Sequence, residues 1–253
     1  VVKLSKYWDT IWLILSDLHI PFHDKRLLNA IYDLCKDIQF TGIVFNGDLH
    51  DFFKISEHLK SADRADNLQL ELDETRFVLK NFRNILPDAK FVHIEGNHER
   101  RLRKYLFKKA KELESLRCLN YSSLVGHDIF DIKYTDSFLI NKNFLVTHGT
   151  SCGKYPARAE LARYLISGTS GHSHKTDTAH MHGHKVDLVW HSAGHLSNRP
   201  RLSKACGKYD KALNWDMSFE TVLANATDFE VDVVKCNSKG FYYKLNGKYY
   251  GKN

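Results

Sequence analysis

Short apolar runs alternate along the first two-thirds of the chain with longer stretches in which apolar residues recur every three or four positions. "TIWLILSD" (residues 10–17), "TGIVFNGD" (41–48) and "AKFVHIEGNH" (89–98) are runs that stop abruptly at polar residues, the pattern of strands buried on both faces. Between them, "DKRLLNAIYDLCKDIQ" places Leu27, Ile31, Leu34 and Ile38 on one helical face. A longer helix carries Leu68, Leu72, Leu79, Phe82 and Leu86 and is stopped by Pro87-Asp88. "ERRLRKYLFKKAKELE" (99–114) predicts a further helix, and another is expected near 156–166. "FLINKNFLVTHG" predicts a hairpin turning at Asn141-Lys142-Asn143, and "LISGTSGHSH" and "KVDLVWHSAG" predict further strands. Beyond residue 215 the pattern alternates, with turn signals at Asn237-Ser238-Lys239-Gly240 and Asn246-Gly247. A βαβαβ segment followed by mostly β structure predicts an α/β protein with sheets packed together and helices outside.

The polar residues that end the apolar runs are metal-ligand types. "SDLH" gives Asp17 and His19, "NGDLHD" gives Asp48 and Asp51, and "EGNHE" gives Asn97 and His98. "VTHG" gives His148, and "SGHSH" gives His172 and His174. In open α/β sheets ligands gather beyond the carboxyl ends of strands, so these residues are expected to converge. Carboxylate, amide oxygen and imidazole together suit a hard-to-borderline divalent ion, and the set is too large for one tetrahedral ion. Two ions are therefore expected.

The ordered set DxH, GDxxD, GNHE, H, GHxH, spanning residues 17–174, resembles the calcineurin-like metallophosphoesterase superfamily. The tail, with "HSAGHL" and "NWDMSF", is similar to small phage and bacterial phosphoesterases. The resemblance implies a four-layer αββα sandwich, as one domain over 1–253. It implies that Asp17, His19 and His174 bind one metal, that Asn97, His148 and His172 bind the other, and that Asp48 bridges. Manganese is the first expectation for both ions, with iron, zinc, nickel or magnesium as alternatives. The implied reaction is in-line attack on phosphorus by a metal-bridging hydroxide, with His98 as general acid held by Asp51.

The substrate is less marked. A protein phosphatase of this superfamily carries an arginine after GDxxD; here Phe52-Phe53 follows Asp51, which disfavours that substrate. The helix after GNHE holds Arg100, Arg101, Arg103, Lys104, Lys108, Lys109 and Lys111, beside the implied leaving-group site. Arg100 and Arg101 are candidate phosphate contacts, whereas Tyr105 and Phe107 are expected in the core at helix spacing. "GTSCGKYPAR" adds Lys154 and Arg158 as candidates, and "NRPRLSK" a third basic cluster; Cys152 is expected to pack. His195 is a further candidate substrate contact. His180, His182 and His184 alternate with no obvious carboxylate partner, and a surface hairpin is expected there rather than a third metal site. The net charge of +7 among 253 residues attracts polyanions but does not by itself name a partner. A nucleotide, DNA or RNA substrate is the expectation. A non-nucleotide phosphomonoesterase, a protein phosphatase and a catalytically silent binding scaffold are the alternatives.

Composition changes the picture little. With 43% apolar and 26% charged residues and no run long enough for a bilayer, an ordinary globular protein without a membrane partner is expected. Asp9 and Asp17 bracket the first apolar run and no small-residue cleavage site follows, so it is read as a strand rather than a signal peptide. Five scattered cysteines suit a reducing compartment. The cytoplasm is expected, that of the host if the protein is phage-encoded.

Overall fold

In the computed structural model, residues 6–58, 67–206, 213–237, 243–245 and 248–251 are described. The elements run β1 (Thr10–Leu15), α1 (Lys25–Asp37), β2 (Gly42–Phe45), α2 (Leu68–Ile85), β3 (Lys90–Ile94), α3 (Arg100–Lys109), α4 (Tyr121–Val125) and β4 (Ile132–Thr135). They continue with β5 (Ser137–Asn141), β6 (Phe144–Thr147), α5 (Pro156–Tyr164), β7 (Ser167–Ser170), β8 (Asp177–His182), β9 (Asp187–Ser192), α6 (Arg199–Ala205), β10 (Ser218–Ala224), β11 (Phe229–Lys235), β12 (Tyr243–Leu245) and β13 (Lys248–Tyr250). The turn signals at 238–240 and 246–247 lie outside the described residues.

One mixed sheet has the order β11-β10-β1-β2-β3-β4, and a second has β5-β6-β7-β9-β8. β1, β2, β3 and β4 are mutually parallel, as are β6, β7 and β9. Alternation along the strands builds the layers, because successive side chains face opposite sides of a sheet. Trp12, Ile14, Val44, Val92 and Ile94 face the second sheet and meet Phe138, Phe144 and Val146. Their neighbours Leu13, Leu15, Ile43, Phe45 and Phe91 face the other way and pack under α1 and α2, against Leu34, Leu79 and Phe82. On the far face of the second sheet, Ala157 and Leu161 of α5 cover Trp190, whose indole stacks on Tyr164 at 5.2 Å. The result is helix, sheet, sheet, helix. Burying each such large side chain contributes about 1.5–3 kcal/mol.

Local signals fix the helix starts. Asp24 accepts hydrogen bonds from the backbone of Arg26 and Leu27, and Asn67 from Gln69 and Leu70, each a side-chain cap on otherwise unpaired N–H groups. Three elements escape the hydrophobic pattern: α4, β4 and α6. For α6 a signal existed, since Asn198 caps it and Pro200 occupies its first turn. The helix expected over 99–114 ends at Lys109, and only Leu106 of α3 is buried. Tyr105 and Phe107, expected in the core, are 40% and 59% exposed, because the helix lies on the surface with a single inward residue per turn.

Candidate metal centre

Every implied ligand follows a parallel strand. β1 delivers Asp17 and His19, β2 Asp48, β3 Asn97, β6 His148, and β7 His172 and His174. The loops are laced together by backbone bonds: Asp17 N donates to Gly47 O, His19 N to Asp48 O, and Asp51 N to Ile20 O. Asp17, His19, Asp48, His172 and His174 all adopt positive φ, between 48° and 65°. This left-handed backbone turns successive side chains toward one point, at a cost of order 1–3 kcal/mol each for non-glycine residues. Glycines are required here by close approach. A Cβ on Gly96 would lie 2.4 Å from Asp48 Oδ1, and one on Gly171 would lie 2.5 Å from Asp17 Oδ2.

Within the described residues, three groups of donor atoms gather to within 4.8 Å: Asp17, His19 and His174; Asp48, His148 and His172; and His19, Asp48 and His98. The first two match the two implied metal sites. His19 Nε2 and His174 Nε2 are 2.9 Å apart, and Asp17 Oδ1 lies 3.2 Å from His174 Nε2. Ligands on one ion at about 2.0–2.2 Å, set at roughly right angles or wider, have about this separation. Asp48 Oδ1 lies 3.3 Å from His148 Nε2, and Asp48 Oδ2 lies 4.0 Å from His19 Nε2, so its two oxygens face the two groups. Asn97 Oδ1 sits 3.2 Å from His148 Nε2. The donor set thus fits two divalent ions.

Hydrogen bonds behind the ligands set their orientation. His148 Nδ1 donates to Asn46 O at 2.8 Å, leaving Nε2 turned toward Asp48. Asp17 Oδ2 accepts from His172 N. Burial works against a charged His148, but Asp48 and Asp17 outweigh it and push its pKa up to about 10. Burial likewise opposes charge on Asp48, yet His148, His98 and His19 hold it well below the usual carboxylate range. Burial lowers His172 and His174. A cation in the centre would replace the proton that Asp48 favours on His148.

Glu99, the last residue of GNHE, is a supporting residue that the motif reading left without a role. It is 1% exposed. Its Oε2 accepts from Asp48 N at 3.0 Å and Gly96 N at 2.8 Å, and its Oε1 from Leu49 N at 2.8 Å. One carboxylate therefore ties the GD loop to the GN loop.

His98 lies at the rim. Its Nδ1 is 2.8 Å from the backbone carbonyl of Asp51, which must accept, so that nitrogen carries the proton. The Asp51 carboxylate is farther away, with Oδ1 at 3.6 Å from both His98 Nδ1 and His19 Nδ1. Asp51 orients His98 through its main chain. His98 Nε2 is 3.6 Å from Asp48 Oδ2 and accepts from Arg101 Nη2 at 2.9 Å.

The centre opens into a cavity of about 710 Å³. Arg101 lines it, and its Nη1 donates to Asp51 O. The other cationic and polar candidates lie elsewhere. Arg100 is turned away from the cavity onto Glu95, with Nε 2.8 Å from Oε2. Lys154 and Arg158 are exposed and do not line the cavity. The cation on that side is Lys175, whose Nζ donates to Gly153 O at 2.8 Å. His195 is fully buried behind His174, rings 5.2 Å apart, with Nδ1 2.7 Å from Ser197 Oγ; it has no surface to offer a substrate. Cys152, expected to pack, is exposed at the cavity wall. Phe53, Leu202 and Trp215 form apolar wall, with Trp215 edge-on to His174 at 4.6 Å. No spacing signal marks them, since they reach the cavity from three separate segments. His180, His182 and His184 are exposed on the β8–β9 hairpin, and His182 pairs with Asp187 at 2.8 Å, a carboxylate brought there by the hairpin register. They join none of the metal-capable groups of the described residues.

Similarity to known proteins is consistent along the chain. It is 27% identical over 239 residues to the Gene 54 protein of Mycobacterium phage D29, covering 88% of this chain and 92% of that one. Among solved structures, the fold is similar to Vps29 of Cryptosporidium parvum, with TM-score 0.46, 14% identity, and 96% and 95% of the two chains covered. It is also similar to Yfce, a phosphoesterase from E. coli, with TM-score 0.40, 12% identity, and 88% and 98% covered. The model of the calcineurin-like phosphoesterase family matches residues 12–234, from the first core strand to the last strand of the larger sheet. With that span matched, this chain belongs to the calcineurin-like phosphoesterase family.

Proposed function

We propose that the protein hydrolyses phosphoester bonds in a nucleotide or nucleic acid, using two divalent ions, with manganese the first to test. The observation that carries the reading is the pair of donor groups facing the two oxygens of Asp48. Asp17, His19 and His174 would hold one ion, Asn97, His148 and His172 the other, with Asp48 between. Bound there, the ions would neutralise phosphoryl oxygens and supply a water acidic enough to act as nucleophile near neutral pH.

The chain's own residues do the rest. His98 stands at the rim, where a leaving oxygen would depart, and the Asp51 carbonyl holds its Nδ1–H so that Nε2 faces Arg101 and the Asp48 carboxylate. Burial lowers its pKa to about 4, and the charges of His19 and Arg101 add to that, so at neutral pH it is neutral before substrate arrives. An anionic ester would draw Arg101 from Nε2 and favour the imidazolium, which then donates to the leaving oxygen. Arg101 and Lys175 supply positive charge for the substrate's oxygens, and Trp215 and Phe53 supply apolar wall for a nucleoside.

The purified protein, loaded with manganese, would be assayed on bis-p-nitrophenyl phosphate, p-nitrophenyl phosphate, deoxynucleoside monophosphates and single-stranded DNA. Metal-dependent diester turnover is expected. His98→Asn should keep both metals by elemental analysis and lose about 10²–10⁴-fold in turnover. Full turnover of that variant on every ester would remove the acid role. Strong monoester turnover without diester turnover would remove the nucleic-acid substrate.

A further inference from the structure

A second cleft, of about 520 Å³, meets the metal cavity at Asn97, Arg101 and His58 and runs away from it along α3. One wall is a single face of the helix: Arg101, Lys104, Tyr105, Lys108 and Lys109 fall at i, i+3, i+4, i+7 and i+8. The opposite wall is the segment from Ile55 to His58. Four cations line the cleft against one carboxylate, Glu57, which pairs with Lys108. The other side of α3 is different in kind, because Arg100 and Arg103 are both engaged by Glu95. Tyr105, 40% exposed, stands between Lys104 and Lys108 on the helix, and the exposed ring of His58 lies on the facing wall.

We propose that this cleft is a track for single-stranded nucleic acid, which deepens the phosphoesterase reading above and rests on it for the metal end. The phosphate at the metals would be followed by others on Lys104, Lys108 and Lys109, with a base on Tyr105. From Arg101 to Lys108 the helix rises about 10.5 Å, at about 1.5 Å per residue. At the stacked duplex rise of about 3.4 Å per nucleotide, that covers at most about three nucleotides, and fewer of an extended single strand. A mononucleotide held at the metals would leave the far lysines unused. A duplex would offer phosphates but no base for the tyrosine, since its bases are stacked inside, whereas single strands combine backbone charge with bases that stack on aromatic side chains. A phosphate entering beside Lys108 would replace the Glu57 carboxylate.

The test is fluorescence anisotropy of labelled dT12 with the full chain in EDTA, repeated with a hairpin duplex and with dTMP as competitor. Manganese-dependent kinetics on dT12 and on bis-p-nitrophenyl phosphate follow. Wild type should bind dT12 at least tenfold more tightly than either dTMP or the duplex. Lys104→Ala/Lys109→Ala should weaken dT12 binding by about ten- to a hundredfold and make the slope of log affinity against log salt shallower by about 1.4, since each lost phosphate contact on a single strand removes about 0.7. Its defect should appear in KM rather than kcat. Tyr105→Ala should weaken binding by about tenfold with the slope unchanged. Lys142→Ala/Lys185→Ala, a matched charge loss in the exposed β5–β6 and β8–β9 turns at the ends of β6 and β9 opposite the metal centre, should bind as wild type. Equal affinity for dT12 and dTMP, duplex binding as tight as single-strand binding, or an unchanged salt slope in the double lysine variant would each overturn the proposal. Absence of bis-p-nitrophenyl phosphate hydrolysis would instead overturn the phosphoesterase reading, and the anisotropy would still decide the cleft.

Discussion

Replacing Glu99 by glutamine exchanges one carboxylate oxygen for an NH2 in the buried junction between the GD and GN loops. Three backbone N–H groups, of Asp48, Gly96 and Leu49, donate to that carboxylate. Glutamine's best orientation keeps its carbonyl on Asp48 and Gly96 and sets its NH2 against Leu49 N–H. One charge-assisted hydrogen bond is lost, at about 1.5–3 kcal/mol, and a buried N–H is left without an acceptor, at about 1–3 kcal/mol. The two remaining bonds weaken because the acceptor is no longer charged. A loss of about 2.5–6 kcal/mol results, a large part of the roughly 5–15 kcal/mol that holds a domain folded. The titration of Glu99 points the same way. Burial pushes its pKa up, but the His93 imidazole, with Nε2 3.6 Å from Oε1, outweighs burial and holds it at about 2, below the ordinary carboxylate range. For a depressed carboxylate that stabilisation is complete above pH 4.5 and disappears as pH falls toward 2. Urea unfolding of the EDTA-treated proteins should therefore show Glu99→Gln less stable by several kcal/mol at pH 7, with the gap narrowing below pH 4.5. Metal titration by calorimetry should show about 10–100-fold weaker binding, the usual effect of removing a group that orients a ligand. A variant within 0.5 kcal/mol of wild type at pH 7, or one whose deficit is the same at pH 3.5 and pH 7, would refute the argument.

Asp48→Asn removes the charge that faces both donor groups, and elemental analysis should find fewer than two metals per chain with at least about a hundredfold loss of turnover; full metal content would contradict the bridging role. Because Asp48 keeps a proton on His148, with a pKa near 10, loading at pH 7 should release protons. Calorimetry in buffers of different ionisation enthalpy should detect that release, and buffer-independent heats would exclude it. Glu220 lies between the sheets, fully buried, accepting from Thr169 at 2.7 Å, and burial raises its pKa to about 7. Its stabilising contribution is complete below about pH 4.5 and is lost as pH rises through 7. Glu220→Gln should then match wild type near pH 4 and exceed it by up to about 3 kcal/mol at pH 8 in urea unfolding; a pH-independent difference would count against the assignment.

The sequence by itself determined which positions become strand ends and which side chains stand there. Short apolar runs stopped by Asp, Asn or His at five places are a local signal, and parallel strands joined by helical crossovers carry their carboxyl ends to one side of a sheet. The layer order followed from the same runs, because alternation within a strand fixes which residues face the partner sheet and which face a helix. Tertiary structure decided everything that depends on direction. Arg100 and Arg101 are adjacent in sequence, yet a step of about 100° around α3 sends one to Glu95 and the other to His98. His195 looked like a substrate contact and is sealed behind His174, because its backbone bridges to Met217, just ahead of β10, and Trp215 packs edge-on to its ring. Tyr105 fits a core position by spacing alone, but α3 rests on the body through Leu106, which leaves the tyrosine and four cations to line a cleft. Periodicity records which residues share a face of an element, whereas what that face meets is set by segments up to two hundred residues away, and no local pattern encodes them.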